Sequence, residues 1–541
     1  MADKTRDTAF DALRTGDRQM LLTMLRRGAS RRDVLGWMMA AGASAAFAGS
    51  AYTGAAHAQS MTPKRGGKIT FGEVVHGPDD SLDPTLISSS TDYHRVRMVY
   101  SSLIRLSDNL SPQAEIAEEF IPNSDATEWT FKLRRGVEFH DGKTLTADDV
   151  LYSMNRHMGD NSASRAKALV ADVERWEKVN DHEVRAIMKS PNADLPIALG
   201  TFHFKIVQDG TTDFAKPIGS GPFRVAEFTP GVRFRGTRFE NYWTGGPFLD
   251  EIENFGIADP VARTNAFLNG DIDAMQNVPI NAIDRVASTP GRTMLNTETG
   301  AFVSLVARQD MAPGNNPDFM MAVRYLMDRE RLLKGTLRGN GTLGNDQPIN
   351  RVYADWFDGL PQRMLDPDKA KYHFDRSGIG STEIPLIASE VAPASLEQAL
   401  FLQREAEKIG MKIAVQRVST DGYWSAVWLV APFCVASWNM RPTANIMLTL
   451  AYHSTARWND SYWKNEMFDD LLVKARSVTD PVQRKQVYAD LQTMVHEGAG
   501  TMIPVHRNFI DGIASNLRGF PKAPIGSYGG NEGPEYYWID A

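Results

Sequence analysis

Cysteine is almost missing from this sequence: Cys434 stands alone among 541 residues. An intramolecular disulfide is excluded, and so is a cysteine-rich zinc or iron–sulfur site. Excess positive charge is missing too. With 59 Lys and Arg against 66 Asp and Glu, the formal net charge is -7, and no basic field exists to hold nucleic acid by counterion release. Repeats at the spacing of solenoids or propellers are absent. No G-x-S-x-G or S-x-x-K pattern fits the expected elements, spacing alone selects no pair of carboxylates, and His496-Glu497 lacks the second histidine of H-E-x-x-H. These absences argue against a hydrolase or a metalloenzyme, and no cofactor or metal site is expected. A chaperone or scaffold would show itself by exposed apolar patches, which sequence does not display.

What is present is an ordinary globular balance, 42% hydrophobic and 23% charged, able to bury a large core. At ~100 to 200 residues per domain the length predicts two to four domains. The amino terminus reads as an address. Ser30-Arg31-Arg32-Asp33-Val34-Leu35 leads into an uncharged Ala/Gly-rich stretch that ends near Tyr52, followed by Ala56-His57-Ala58. A charged segment, a weakly apolar one and an A-x-A site predict a signal peptide over 1–58, and the paired arginines resemble the twin-arginine export type. Gly42, Ser44, Gly49 and Ser50 dilute the stretch too much for a good membrane span. No cysteine near the cleavage point offers a lipid anchor, so the mature chain is expected to be exported and soluble.

The remainder predicts alternating strands and helices. Gly66 to Phe71 reads as a first strand. Trp129, Phe131 and Leu133 alternate on one face, and Val137 to His140 leads to an Asp141-Gly142 turn, which together predict a hairpin. Thr146-Ala147-Asp148-Asp149 has capping-box spacing ahead of a helix reaching about His157. Asn316 caps a helix with Pro317 in its first turn; Phe319, Val323, Leu326 and Met327 share a face, and Gly335 supplies a stop. A helix from Ser395, with Leu396, Ala399, Leu400, Ala406 and Ile409 facing inward, closes at Gly410 and feeds a strand over 411–418.

The run Trp129-Thr130-Phe131-Lys132-Leu133-Arg134-Arg135-Gly136-Val137-Glu138-Phe139-His140-Asp141-Gly142, continuing to Thr146-Ala147-Asp148-Asp149-Val150, resembles the signature of a transport family. That family is the periplasmic solute-binding proteins of peptide, opine and nickel ABC importers. Gly219-Ser220-Gly221-Pro222-Phe223, Asn241-Tyr242-Trp243, Arg324-Tyr325-Leu326-Met327-Asp328-Arg329-Glu330 and Phe468-Asp469-Asp470-Leu471-Leu472 agree with it, and the likeness spans roughly 64–515. The resemblance implies an α/β fold: a bilobed periplasmic-binding-protein clamshell with an extra third domain, mixed sheets and two crossing hinge strands. By that analogy 59–104, 217–304 and 512–541 form a discontinuous first lobe, 105–216 the extra domain on it, and 305–511 the second lobe. The crossings are expected near 302–308 and 505–511. The implied protein is a periplasmic monomer that performs no chemistry. It would deliver a small-molecule solute, a peptide or amino-acid derivative, to an ABC permease and ATPase; an opine, a small carboxylate or a metal chelate is the alternative solute.

Within the resemblance, Ser437-Trp438-Asn439-Met440-Arg441-Pro442 departs from the pattern. Dipeptide binders of the family carry a carboxylate near the corresponding proline to pair with the ligand's amino group. Arg441 stands there instead, and its rigid five-donor fork suits a carboxylate or phosphate. Arg441 is therefore the expected anchor for an anionic group, with Trp438 and Asn439 beside it. Among nearby aromatics Tyr423 and Tyr452 are further candidates, since such rings stack on organic ligands. Tyr93 and Arg95 lie in a stretch adjoining the pocket in relatives, and Glu390 stands where some relatives touch peptides. His453 is read as a structural histidine rather than a metal ligand.

Overall fold

The computed structural model describes residues 34, 35, 37, 38, 63–74, 76–419, 423–478 and 480–540. Val34, Leu35, Trp37 and Met38 are helical; otherwise the expected signal at 1–58 lies outside the described residues. The chain divides into two compact units, a small one of 1–66 and 538–541 and a large one of 67–537. Among the described residues no helix is long and apolar enough to cross a membrane.

Two mixed sheets organise the large unit. The first, seven-stranded, runs in the order Arg292–Thr297, Phe509–Ala514, Ala274–Met275, Lys68–Glu73, Glu251–Gly256, Arg233–Arg238, Phe223–Thr229. Lys68–Glu73 pairs in parallel with both Glu251–Gly256 and Ala274–Met275. The second, six-stranded, runs Gly341–Leu343, Thr501–Arg507, Phe302–Ala307, Phe433–Trp438, Glu383–Ala388, Lys412–Arg417. Two of its interior strands, Phe302–Ala307 and Thr501–Arg507, are mostly apolar and buried along nearly their whole length, as strands covered on both faces must be. The chain passes from the first sheet to the second across 298–301 and returns at Asn508. The expected lobe boundaries after 304 and 511 therefore fall inside strands. A run buried at every position gives no sign of which sheet it joins.

A third, four-stranded antiparallel sheet of Ala117–Pro122, Glu128–Leu133, Glu183–Met188 and Val173–Asn180 belongs to a smaller domain. Trp129, Phe131 and Leu133 face its core, joined there by Val137, Phe139, Val150 and Met154. The expected hairpin takes a different form. Glu128–Leu133 pairs with strands on either side, whereas Val137 to His140 makes only one bridge, Glu138 to Thr144, around a turn in which Gly142 has φ +91°. The helix Ala147–Asn155 starts where its capping box places it, the Asp149 carboxylate accepting from the Thr146 N–H at 2.8 Å. Asn316 caps Pro317–Leu326 by accepting from Asp318 and Phe319 N–H. That helix does not continue to Gly335. Asp328 accepts from Arg331 N–H at 3.0 Å and starts a second helix, Arg329–Thr336, because an Asx side chain competes with helix continuation at that point. The helix Ser395–Lys408 turns at Gly410, φ +83°, into Lys412–Arg417, but Leu400 points outward and is 47% exposed.

Candidate ligand-binding cleft

The strand Phe433–Trp438 ends at Trp438, and the helix Ala444–Tyr452 begins after Thr443, whose Oγ1 accepts from Ile446 N–H. Residues 439–442 thus form a short link at the carboxyl end of a strand that pairs in parallel with Glu383–Ala388. Open α/β sheets present ligands at these ends, where backbone leaves the ladder and side chains can face a cleft.

Arg441 lies in this link. Its N–H donates to Tyr353 Oη at 3.2 Å, and its guanidinium carbon lies 5.9 Å from the Trp438 ring centroid. The Nε is shielded from water and has no hydrogen-bond partner. Burial lowers the pKa of the guanidinium, and the groups that oppose this are the phenols of Tyr93 and Tyr353 rather than any carboxylate. This half-buried cation lacks the carboxylate partner that a shielded charge ordinarily has.

Tyr93 and His203 approach Arg441 from the first lobe and its smaller domain. Tyr93, on the helix Ser90–Val99, stacks on Phe202 with centroids 4.5 Å apart and planes 12° from parallel, and meets His203 edge-on at 5.5 Å. Burial raises the Tyr93 phenol, with Arg441 pulling it down. Burial pushes His203 down to about 4; its hydrogen bond to the Ile87 backbone opposes this, and the Arg441 charge adds to it. At neutral pH the wall opposite Arg441 is therefore an aromatic pair and a neutral imidazole. Arg165 adds a second positive field there.

On the second lobe Trp438 and Trp428 both donate their indole N–H to Asp460 Oδ2 at 3.1 Å. The polar edge of Trp438 is thereby occupied, and its ring, 5% exposed, meets Trp428 and Trp458 edge-on at 6.0 and 6.2 Å. Asn439 is exposed and accepts from Arg507 Nη2 at 3.1 Å. Beside them lies a cavity of about 450 Å³ bounded by Asn277 to Ile280 from the first lobe and by Trp424, Ser437 and Asn439 from the second, with Arg507 and Asn508 at the crossing.

Four predicted residues lie elsewhere. Arg95 is fully buried and bonds Asp80 Oδ2 at 2.6 Å: two positions beyond Tyr93 on the same helix, it faces roughly the opposite side. Tyr423 and Tyr452, each 1% exposed, spend their hydroxyls inside the second lobe, on Val435 O at 3.0 Å and Thr501 Oγ1 at 3.1 Å. Glu390 is exposed and pairs with Arg417. His453 Nδ1 accepts from Thr455 N–H, and no group of three potential ligands able to hold a metal ion occurs among the described residues. Sequence reading missed Tyr353, His203 and Arg507. Each depends on contacts spanning scores of residues or more, and none sits in a motif.

Ion pairs also join the lobes. Arg484 reaches Asp194 of the smaller domain at 3.0 Å and Asp355 of the second lobe at 3.1 Å, and Arg476 reaches Asp172 at 2.9 Å.

The family described as bacterial extracellular solute-binding proteins, family 5 (middle region), matches residues 111–459. Heme-binding protein A of Haemophilus influenzae is 23% identical over 495 residues, covering 82% of this chain and 88% of its own. Glutathione-binding protein GsiB of Pectobacterium atrosepticum is 23% identical over 533 residues, covering 90% and 96%. Among solved structures, AgaA of A. tumefaciens R10 in complex with agropinic acid superposes with a TM-score of 0.74 at 23% identity, covering 88% of this chain and 99% of its own. CtaP of Listeria monocytogenes, an ABC transporter substrate-binding protein, gives 0.79 at 20% identity, covering 88% and 100%. The two sheets with their crossings are the halves of the bilobed clamshell these structures share. With more than half its length matched, the chain belongs to the bacterial extracellular solute-binding proteins of family 5.

Proposed function

We propose that this solute-binding protein captures a small organic solute bearing an anionic group, a peptide or amino-acid derivative, and presents it to an ABC permease and its ATPase. The observation that carries the reading is Arg441: a half-buried guanidinium at the meeting of two lobes, its shielded Nε without an acceptor and no carboxylate paired to it among the described residues. A ligand carboxylate would supply the missing acceptor through charge-assisted bonds, each worth about 1.5–3 kcal/mol. Tyr93 and Trp438 would sandwich the organic part, and His203 and Asn439 would offer neutral polar contacts. A ligand touching both lobes stabilises the closed form by its differential affinity, and closure is the signal a permease reads.

Relatives named for glutathione and dipeptide, and a neighbour holding agropinic acid, support solutes of this size and acidity. In this reading the chain acts in the periplasm as a monomer after twin-arginine export and does no chemistry on its cargo. The test is to purify the protein natively, unfold it, identify the released small molecule by mass spectrometry, and titrate it back into wild type and Arg441→Gln. A carboxylate-bearing solute that binds Arg441→Gln at least about tenfold more weakly is the expected result. A solute with no anionic group, or equal affinity in the variant, would refute the anchor.

A further inference from the structure

We infer that Arg507 is a second anion anchor, so that the cleft takes a solute acidic at two positions, one group meeting Arg441 and the other entering the cavity beside Arg507. This deepens the proposed function and rests on the reading of Arg441.

Arg507 closes the strand Thr501–Arg507 at the point where the chain recrosses between the lobes. Its only side-chain hydrogen-bond partner among the described residues is the Asn439 amide oxygen at 3.1 Å; its guanidinium carbon lies 5.2 Å from the Phe509 ring centroid, and its Nε is shielded from water without an acceptor. Buried arginines that serve the fold alone differ in their outer nitrogens, which the backbone provides for, although the Arg324 Nε is likewise without an acceptor. Arg263 donates to the Gln276, Ile257 and Ala258 carbonyls, and Arg324 to those of Glu497 and Ala499. Burial pushes Arg507 down to about 10, and no charged group opposes it. The environment is thus deficient in negative charge around a cation that five donors make a good oxyanion receptor.

The cavity fits that role. At about 450 Å³ it is of the size that holds small organic ligands, and no Asp or Glu lines it. Its polar groups are neutral: Asn277, Asn340, Asn439, Asn508 and Ser437. Because both lobes form its walls, an occupant there favours closure, as one at Arg441 does. Asn439 joins the two places, since it touches Arg507 and stands two residues before Arg441, at most about 7 Å along the backbone. A solute with acidic groups separated by a short chain can reach both, whereas a cationic tail would meet Arg507 with repulsion.

The experiment uses α,ω-dicarboxylates of about four to ten carbons and their monoamides, a series bracketing that separation. Each is titrated at matched ionic strength into the wild-type chain, Arg507→Gln, Arg507→Lys and Arg441→Gln, with affinity read by calorimetry. In wild type at least one length of diacid is expected to bind about tenfold or more tightly than its monoamide. Arg507→Gln loses that preference yet keeps monoamide binding, and Arg507→Lys, retaining charge, keeps part of it. A preference unchanged in Arg507→Gln, or no diacid preferred at any length, overturns the inference. Monoamides bound equally by Arg441→Gln and wild type would instead sink the Arg441 reading, and with it a solute held at two ends.

Discussion

Arg97, fully buried, and Arg441, half-buried with a shielded Nε, are guanidiniums in opposite chemical circumstances. Arg97, inside the first lobe, holds Glu115 at 2.5 Å, Glu535 at 2.6 Å and Glu532 at 3.0 Å. In the second lobe Asp346 bridges Arg329 at 2.7 Å and Arg363 at 2.5 Å. Arg441 and Arg507, where the lobes meet, have no carboxylate among the described residues. The chain balances its cations with carboxylates within each lobe, and across the lobes at Arg484 and Arg476, but not at Arg441 and Arg507. A buried ion is tolerated only if something compensates it. At Arg97, Arg329, Arg484 and Arg476 that partner belongs to the chain; at Arg441 and Arg507 the natural partner arrives from solution.

The largest effect should come from breaking the balanced set. Burial alone would raise the Asp346 carboxyl, yet Arg329, Arg363 and Arg324 outweigh it and hold it at about 2. Asp346 has φ +56°, a conformation that Asn also tolerates, so Asp346→Asn removes charge with little backbone strain. Leaving those guanidiniums without an anion should cost about 3–5 kcal/mol of stability, read by urea unfolding. A loss under about 1 kcal/mol would show that the cluster is compensated from elsewhere and that the two regions differ less than their contacts imply.

The matching change in the unbalanced set should behave in reverse. Arg441→Gln removes a cation that no carboxylate among the described residues neutralises, so the unliganded protein should keep its melting temperature or gain slightly. Affinity for an acidic solute should fall about 10- to 100-fold. A variant that unfolds at much lower temperature without ligand would place Arg441 with Arg97, as a structural group.

Asp460 sharpens the comparison from the acidic side. Burial raises it to about 6 although the Trp438 and Trp428 indoles bond it, and it forms no ion pair among the described residues. The folded state therefore holds a proton that the unfolded chain has released above the ordinary value of 3.8. Folded protein binds more protons between those two values, so this group makes stability decline as pH rises through that window, by roughly 2–3 kcal/mol, and leaves it level above. Asp460→Asn keeps an acceptor for both indoles and should flatten that part of the profile, measured by urea unfolding across the same pH range. An unchanged slope would mean that Asp460 is ionised throughout.

Much of this was legible in the sequence where the signal is local. Period-two burial of Trp129, Phe131 and Leu133, the caps at Thr146 and Asn316, and the turn at Gly410 arise from residues within a few positions of one another. Arg441 was visible because a charge reversal beside Pro442 stood out against a family pattern. Arg507 was not: it ends a buried strand as any arginine might, and its meaning comes from Asn439 and from Asn277 to Ile280, 68 residues or more away. Arg95 misled because a stretch can adjoin a cleft while helical phase turns alternate residues from it. Side-chain hydroxyls such as those of Tyr423 and Tyr452 acquire their partners only when the sheet assembles.

The smallest effect should come from the ion pairs that join the lobes, and it discriminates between two ways of weakening a ligand. Burial would lower the pKa of Arg484, but Asp194, Tyr488 and Asp355 outweigh it and raise it. The side chain is 17% exposed against 10% and 13% for the two carboxylates, so water screens the pairs in part. Arg484→Gln should therefore remove only about 1 kcal/mol of closure, a few-fold in affinity, by speeding dissociation rather than slowing association. Because Arg484 acts on closure and not on the solute, the loss should be the same for an acid and for its amide. The loss in Arg441→Gln should instead fall on the acid. Stopped-flow tryptophan fluorescence on both variants with both compounds makes the separation. If Arg484→Gln weakened the acid alone, the charge that matters to the solute would extend well beyond Arg441 and Arg507, and the contrast between balanced lobes and an unbalanced cleft would fail.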